Sequence, residues 1–205
     1  MTRRDPRYER SADSAADRIR AAVPGNLPDK FRAHTNLSPE DFHHCSPAPS
    51  GEVCAVDGSN AMLLESGSMA IALFRAAQST FNDLERTRRS ISPLQVAVIG
   101  PGKENEDFPG LYEECFGQIP GTPLGNEDRS RAAGILRDTL EYWITGHMAA
   151  ALAPGALLLR DGPLRVSHAS HDPVLSWIEQ QCRSRKINLA GVSKRTSATW
   201  GGGYP

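Results

Sequence analysis

Two apolar runs about a hundred residues apart, "VCAV" at 53–56 and "ALLL" at 156–159, are each followed closely by an aspartate and a glycine: Asp57 with Gly58, and, after Arg160, Asp161 with Gly162. Short runs rich in Val and Leu read as buried strands, and a carboxylate closing a buried strand calls for a physical reason. One such aspartate is ordinary turn chemistry. Two at matching positions suggest a site.

The elements around them point to one kind of sheet. Leu136, Leu140, Trp143, Ile144, His147 and Ala151 recur at spacings of three and four, so a helix is expected from Asn126, as N-cap, to about Leu152. Pro154 and Gly155 end it, and "ALLLR" follows as a strand. Asp172 with Pro173 opens a helix reaching roughly Lys186, and "INLAGV" is the next strand. Helix, strand, helix, strand is the signature of parallel strands with crossover helices. Upstream, Glu52–Val56 reads as a strand ending at Asp57, and Ala61–Glu65 with Ser68–Ala76 reads as a hairpin about Ser66 and Gly67. "FNDLERTRRS" reads as a basic helical piece and "LQVAVIG" as a short strand. Residues 100–125 read as an acidic loop with one helix near Leu111–Phe116. The whole is an α/β mixed sheet with flanking helices, with both aspartates at strand carboxyl ends, where sites in such sheets lie.

Length and composition bound the rest. The 205 residues suffice for one main domain, 51–205, behind a polar, Pro-punctuated arm, 1–50, with a short helix near 10–22 and a capped start at Ser38–Pro39. A net charge of -1 excludes a histone-like binder but leaves room for a local basic groove. Cys45, Cys54, Cys115 and Cys182 show no CxxC spacing, which argues against a zinc ribbon or redox pair. No apolar run approaches the ~20 residues of a membrane span. The N-terminus lacks the apolar core of a signal peptide, so a cytoplasmic, reducing location is expected.

A third carboxylate falls level with the second aspartate. Glu141 stands about eleven residues before the helix end, ~16 Å at 1.5 Å per residue. Asp161 lies about five residues into its strand, also ~16 Å at 3.3 Å per residue. On the helical wheel Glu141 flanks the apolar stripe, on the side of Arg137 and Met148. If the Asp57 and Asp161 strands are neighbours, three carboxylates converge. Their repulsion would need a cation, and all-oxygen ligation suits Mg²⁺ or Mn²⁺.

"VCAVDGSN", "RDTLEYW", "LLLRDGPL" and "NLAGVSKRT", in this order and at these separations over roughly 52–197, resemble the NurA nuclease family. The resemblance implies a ribonuclease H-like fold, and 5'-3' exonuclease and single-strand endonuclease activity on DNA with Mn²⁺ or Mg²⁺. It also implies a homodimer working with the hexameric HerA translocase in DNA end resection and repair. The family's metal-binding carboxylates match Asp57, Glu141 and Asp161. Family members are usually longer, with a C-terminal part that supplies a further histidine, so a C-terminally short member is expected, active chiefly through self-association or a translocase partner. The alternative is a catalytically weak docking module that keeps the fold for a HerA-type translocase. A third option, an actin-like ATPase with "DGSN" and "RDGPL" as phosphate loops, ranks low because those loops belong to two separate lobes.

Other polar residues carry plainer expectations beside sharper ones. Ser59 either contacts a DNA phosphate or closes an Asp-Gly-Ser turn. Lys194 and Arg195, after the last strand, either hold DNA phosphates or sit on a solvated loop. Arg86, Arg88 and Arg89 form a basic cluster expected on a solvated helix face. His43, His44 and Cys45, like His168 and His171, lack partners at ligand spacing and read as loop residues. His147, within the apolar stripe, reads as a core histidine.

Overall fold

A computed structural model of the chain describes residues 51–83, 85–100, 107–125 and 128–193, together with Asp17. The expected helices near 10–22 and at Ser38 lie outside the described residues. Six strands, β1 (Val53–Glu65), β2 (Ala70–Asn82), β3 (Glu85–Ile91), β4 (Gln95–Ile99), β5 (Leu157–Asp161) and β6 (Asn188–Val192), form one sheet. Its order is β3-β2-β1-β5-β6, and β4 pairs with the first half of β2 while β3 pairs with the second. The β1–β2, β2–β3 and β2–β4 pairs are antiparallel; β1–β5 and β5–β6 are parallel. Three helices are interleaved: α1 (Asp107–Phe116), α2 (Arg129–Ala151) and α3 (Asp172–Ser184).

Alternation along the strands explains which face is buried. In β2, Ala70, Ala72, Phe74, Ala76, Gln78 and Thr80 are buried, and the residues between them are half-buried or exposed. In β1, Cys54 and Val56 share the buried face, and in β5, Leu158 and Arg160 do. Helix α2 packs across this face, against β1, β2, β4 and β5, and α1 and α3 pack against α2. Being covered by the sheet and by two helices, α2 buries Ala132, Leu136, Thr139, Tyr142, Thr145 and Ala149, wider than one stripe. Arg129 fixes its start to the β1–β2 turn, donating to the carbonyls of Ser66 and Gly67 at 2.7 and 2.6 Å.

The structure corrects several expectations. β1 does not stop at Asp57; it runs unbroken to Glu65, so the aspartate sits within a strand whose later part pairs only with β2. The "ERTRRS" stretch is strand β3, not helix. It has no apolar stripe to bury in a helix, Asp83 turns the chain back with φ 50°, and the free edge of β2 offers backbone partners. All seven residues of β3 are exposed, and charges on such an edge discourage pairing with another chain. The cap of α2 is Asp128, whose side chain accepts from the Arg131 N–H at 2.9 Å, two residues after the expected Asn126. His147 is exposed, its ring edge-on to Trp143 at 4.8 Å. His171 is fully buried, stacked on Tyr112 and tilted against Tyr142. No helix among the described residues is long and apolar enough to cross a membrane.

Burial locates the stability. Leu158, fully buried in β5 beneath α2, should cost about 2–5 kcal/mol when cut to alanine. Leu63, 66 % exposed near the end of β1, should cost less than about 0.5 kcal/mol. Urea unfolding of the two variants distinguishes them; equal losses would contradict this placement of the core.

Candidate active site

Parallel pairing sets the first relation. Val56 stands beside Arg160 at the last β1–β5 register step, so Asp57 and Asp161 are the next residues along the two strands. Beyond that step β5 turns away through Gly162, whose φ of 88° requires glycine, which leaves a notch in the pairing where the edge of β1 from Asp57 to Asn60 has no β5 partner. Since Val56, Gly58 and Arg160 face α2, alternation turns Asp57 and Asp161 to the opposite face. Asp57 is exposed and Asp161 half-buried. Ser59, exposed, shares their face two residues on.

Glu141 enters from the helix side. Its side chain is packed against β1 so closely that a Cβ on Gly58 would collide with Oε1 and lie 2.7 Å from Cγ of Arg137. Glycine at 58 is therefore required by close approach. Glu141 is 2 % exposed, and both its oxygens are at ion-pair distance from arginines: Oε2 from Arg160 Nη2 and Oε1 from Arg137 Nε, each at 3.2 Å. Arg160 itself is buried, with its guanidinium 4.3 Å from the Tyr142 ring centre and Nη1 donating to the Pro163 carbonyl at 3.0 Å. Asp138, one turn before Glu141, accepts from Arg137 Nη2 at 2.7 Å and from the Ser167 hydroxyl at 2.6 Å. Arg137 also donates to Asn60 Oδ1 at 3.2 Å, tying α2 to the notch.

Electrostatics follow from this packing. Burial holds the Glu141 carboxyl up to about 7, outweighing the lowering by Arg160 and Arg137, with Asp138 and Asp57 pushing the same way as burial. Asp161 in turn is among the charges that favour the cationic form of Arg137. Carboxylates on the two faces thus act on one another across the notch.

The donor set suits a divalent cation in part. Asp57 and Asp161 offer two carboxylates on one face, the number Mg²⁺ commonly takes from protein while water completes its shell. Glu141 lies on the other face with its oxygens engaged by arginines, and among the described residues no three His, Cys, Asp or Glu side chains stand close enough to hold one ion. Lys194 and Arg195 lie outside the described residues. A cavity of about 450 Å³ between α1, α2 and α3, with Trp143 and Trp177 on its walls, contains none of the three carboxylates.

Sequence reasoning passed over Asp138, Arg160 and Asn60. Arg160 had a readable signal, because a charge inside the run "ALLLRD" falls at an inward position of a strand. Asp138 had only its position one turn from Glu141.

A five-strand path with antiparallel β1–β3, parallel β5 and β6, and a helix crossing from the antiparallel half to β5 defines a ribonuclease H-like α/β fold. The NurA domain family model matches residues 51–199, most of the chain and all of the sheet, and the chain belongs to that family, which is associated with nucleases. No curated protein matches it.

Glu141 supplies a pH test. Its pKa in the fold lies above the usual 4.5, so the folded chain binds more protons than the unfolded one between 4.5 and about 7, and stability falls as pH rises through that window. His171 acts oppositely. Burial lowers it from 6.5 to about 4, so stability rises with pH across that interval. Glu141→Gln removes the first effect and keeps the second. The stability of the variant relative to wild type should therefore climb by roughly 3 kcal/mol from pH 4.5 to 7 and level off above. Urea unfolding across that range measures it, and a constant difference would mean an ordinary carboxyl at 141.

Proposed function

We propose that the chain is a divalent-metal-dependent deoxyribonuclease of the NurA type, cutting single strands internally and DNA ends in the 5'-3' direction during end resection. The observation that carries this reading is the Asp57–Asp161 pair, on adjacent parallel strands beside the notch, in a chain of a nuclease-associated family. Asp57 and Asp161 would hold Mn²⁺ or Mg²⁺; Glu141 is the third ligand that family membership suggests, although here both its oxygens are paired with arginines on the helix side. Such an ion, when bound, neutralises phosphate charge and makes water a better nucleophile.

The protein's own groups fix the arrangement. Arg160, buried and braced by Tyr142 and Pro163, holds Glu141 against β1, and Gly58 leaves the space. Arg137, a third exposed, anchors through Asp138 and Asn60 and keeps positive charge at the helix side of the notch. Ser59, Lys194 and Arg195 are further candidates for phosphate contact. A homodimer and a HerA-like hexameric translocase are the partners this reading implies, in the cytoplasm.

The ion pairing of both Glu141 oxygens favours a second reading, a NurA-fold docking module for the translocase with little activity of its own. One assay separates the two. With Mn²⁺ and end-labelled single-stranded DNA, the wild-type chain should cut, weakly alone and faster with a HerA-type translocase. Asp57→Ala and Asp161→Ala should abolish cutting yet fold as stably as wild type or more so without metal, since each removes one of two neighbouring anions. Calorimetric titration should show weakened Mn²⁺ binding in both. A wild-type chain without activity, alone or with translocase, would favour the docking module; unchanged Mn²⁺ affinity would move the metal elsewhere.

A further inference from the structure

We propose that the face of the sheet turned away from α2 is a track for a DNA strand, with Arg75, Arg86 and Arg89 as its phosphate contacts. The proposal rests on the nuclease reading, which requires a polyanion to approach two carboxylates, and it identifies the charges that offset the repulsion. Register places them. Arg75 on β2 lies opposite Ser59, diagonal to Asp57 across one strand gap, about 7–8 Å away between Cα atoms. On β3, Arg89 lies opposite Ser79 and Arg86 opposite Phe81, and both β2 partners are on the face of Asp57. That strand is two strand spacings from β1, roughly 10 Å. Arg88, opposite the buried Thr80, points to the other face.

Two observations separate these arginines from an ordinary solvated set. All three are exposed, and no carboxylate among the described residues forms an ion pair with any of them, whereas Arg137 and Arg160 are both paired. They also share a face with the Asp57–Asp161 pair, instead of being scattered around the sheet. Arginines on β2 and β3, set out across one face of the sheet, complement a flexible chain of phosphates, with the bidentate donor geometry that phosphate accepts.

The test is binding of a fluorescein-labelled oligothymidylate to the full chain in EDTA, read by anisotropy over a salt series, so that cutting plays no part. Arg75→Gln/Arg86→Gln/Arg89→Gln should weaken binding at least tenfold at low salt and reduce the steepness of the salt dependence by about 2, at roughly 0.7 per lost single-strand phosphate contact. Arg89→Gln should weaken binding, and its neighbour Arg88→Gln, which removes the same charge from the opposite face, should not. Thermal melting checks that all variants fold. An unchanged salt slope in the triple variant, or equal effects of the two single variants, overturns the track. So does light scattering showing that the triple variant loses self-association while its DNA binding is intact, which would assign this face to a second copy. Failure of the nuclease reading looks different: wild type would bind DNA through these arginines but cut nothing with Mn²⁺.

Discussion

The contact between Glu141 and Arg160 joins the helix layer to the sheet beside the candidate site. A carboxylate with 2 % exposure and a guanidinium with 4 % are each costly to bury, and losing either partner would leave the other with its weaker companion alone, Arg137 for Glu141 or Asp138 for Arg160. Their mutual attraction does not make the fold stable, since an apolar pair of the same shape would serve at least as well. It makes the fold specific. Only one rotation of α2 brings Glu141 onto Gly58 and beneath Arg160, and that rotation also seats Leu136, Leu140 and Tyr142 in the core.

The sheet separates two tasks by its faces. Towards α2 it carries apolar packing and a closed ionic group, in which Asp138 and Glu141 are answered by Arg137 and Arg160. Away from α2 it carries Asp57, Asp161 and Ser59 with exposed arginines beyond them. The two sets meet at the notch, where β5 turns away from β1 and where the charges of Asp57 and Glu141 still sense one another. Residues of the packed face and carboxylates of the opposite face thus alternate along the chain: Val56, Asp57 and Gly58 on one strand, Arg160 and Asp161 on the other.

How much of this was legible depends on what each residue reports locally. The parallel half was readable because β5, α3 and β6 are bounded by strong local signals: Pro154 and Gly155, Asp172 and Pro173, and short apolar runs. Chain geometry alone placed Glu141 level with Asp161; in the structure Glu141 pairs at 3.2 Å with Arg160, the residue before Asp161, while Asp161 points to the other face. β3 was misread because its charges repeat without an apolar stripe, and only the free edge of β2, a tertiary feature, makes it a strand. The face on which a carboxylate projects was also out of reach. It depends on strand alternation counted from a boundary, and the Asp-Gly pair marks a boundary in the sequence where β1 in fact continues. His171 was missed for the complementary reason, since nothing beside it in the chain announces the aromatic surroundings that Phe108, Tyr112 and Tyr142 provide from other elements.

The repeated Asp-Gly pair shows how one sequence signal can have two physical causes. Gly162 has a left-handed φ and belongs to a turn that takes β5 away from β1, so a side chain there would be strained by the backbone itself. Gly58 has no such φ. It lies in regular strand, paired with Ala76, and is needed because the Glu141 carboxyl occupies the space a Cβ would fill. Alanine at either position therefore disturbs the site by a different route: at 162 by altering the path of the chain after Asp161, at 58 by pushing Glu141 and Arg137 away from the strand. Both glycines serve to bring a carboxylate to the same notch, which is why the pair recurs even though the local geometries have little in common.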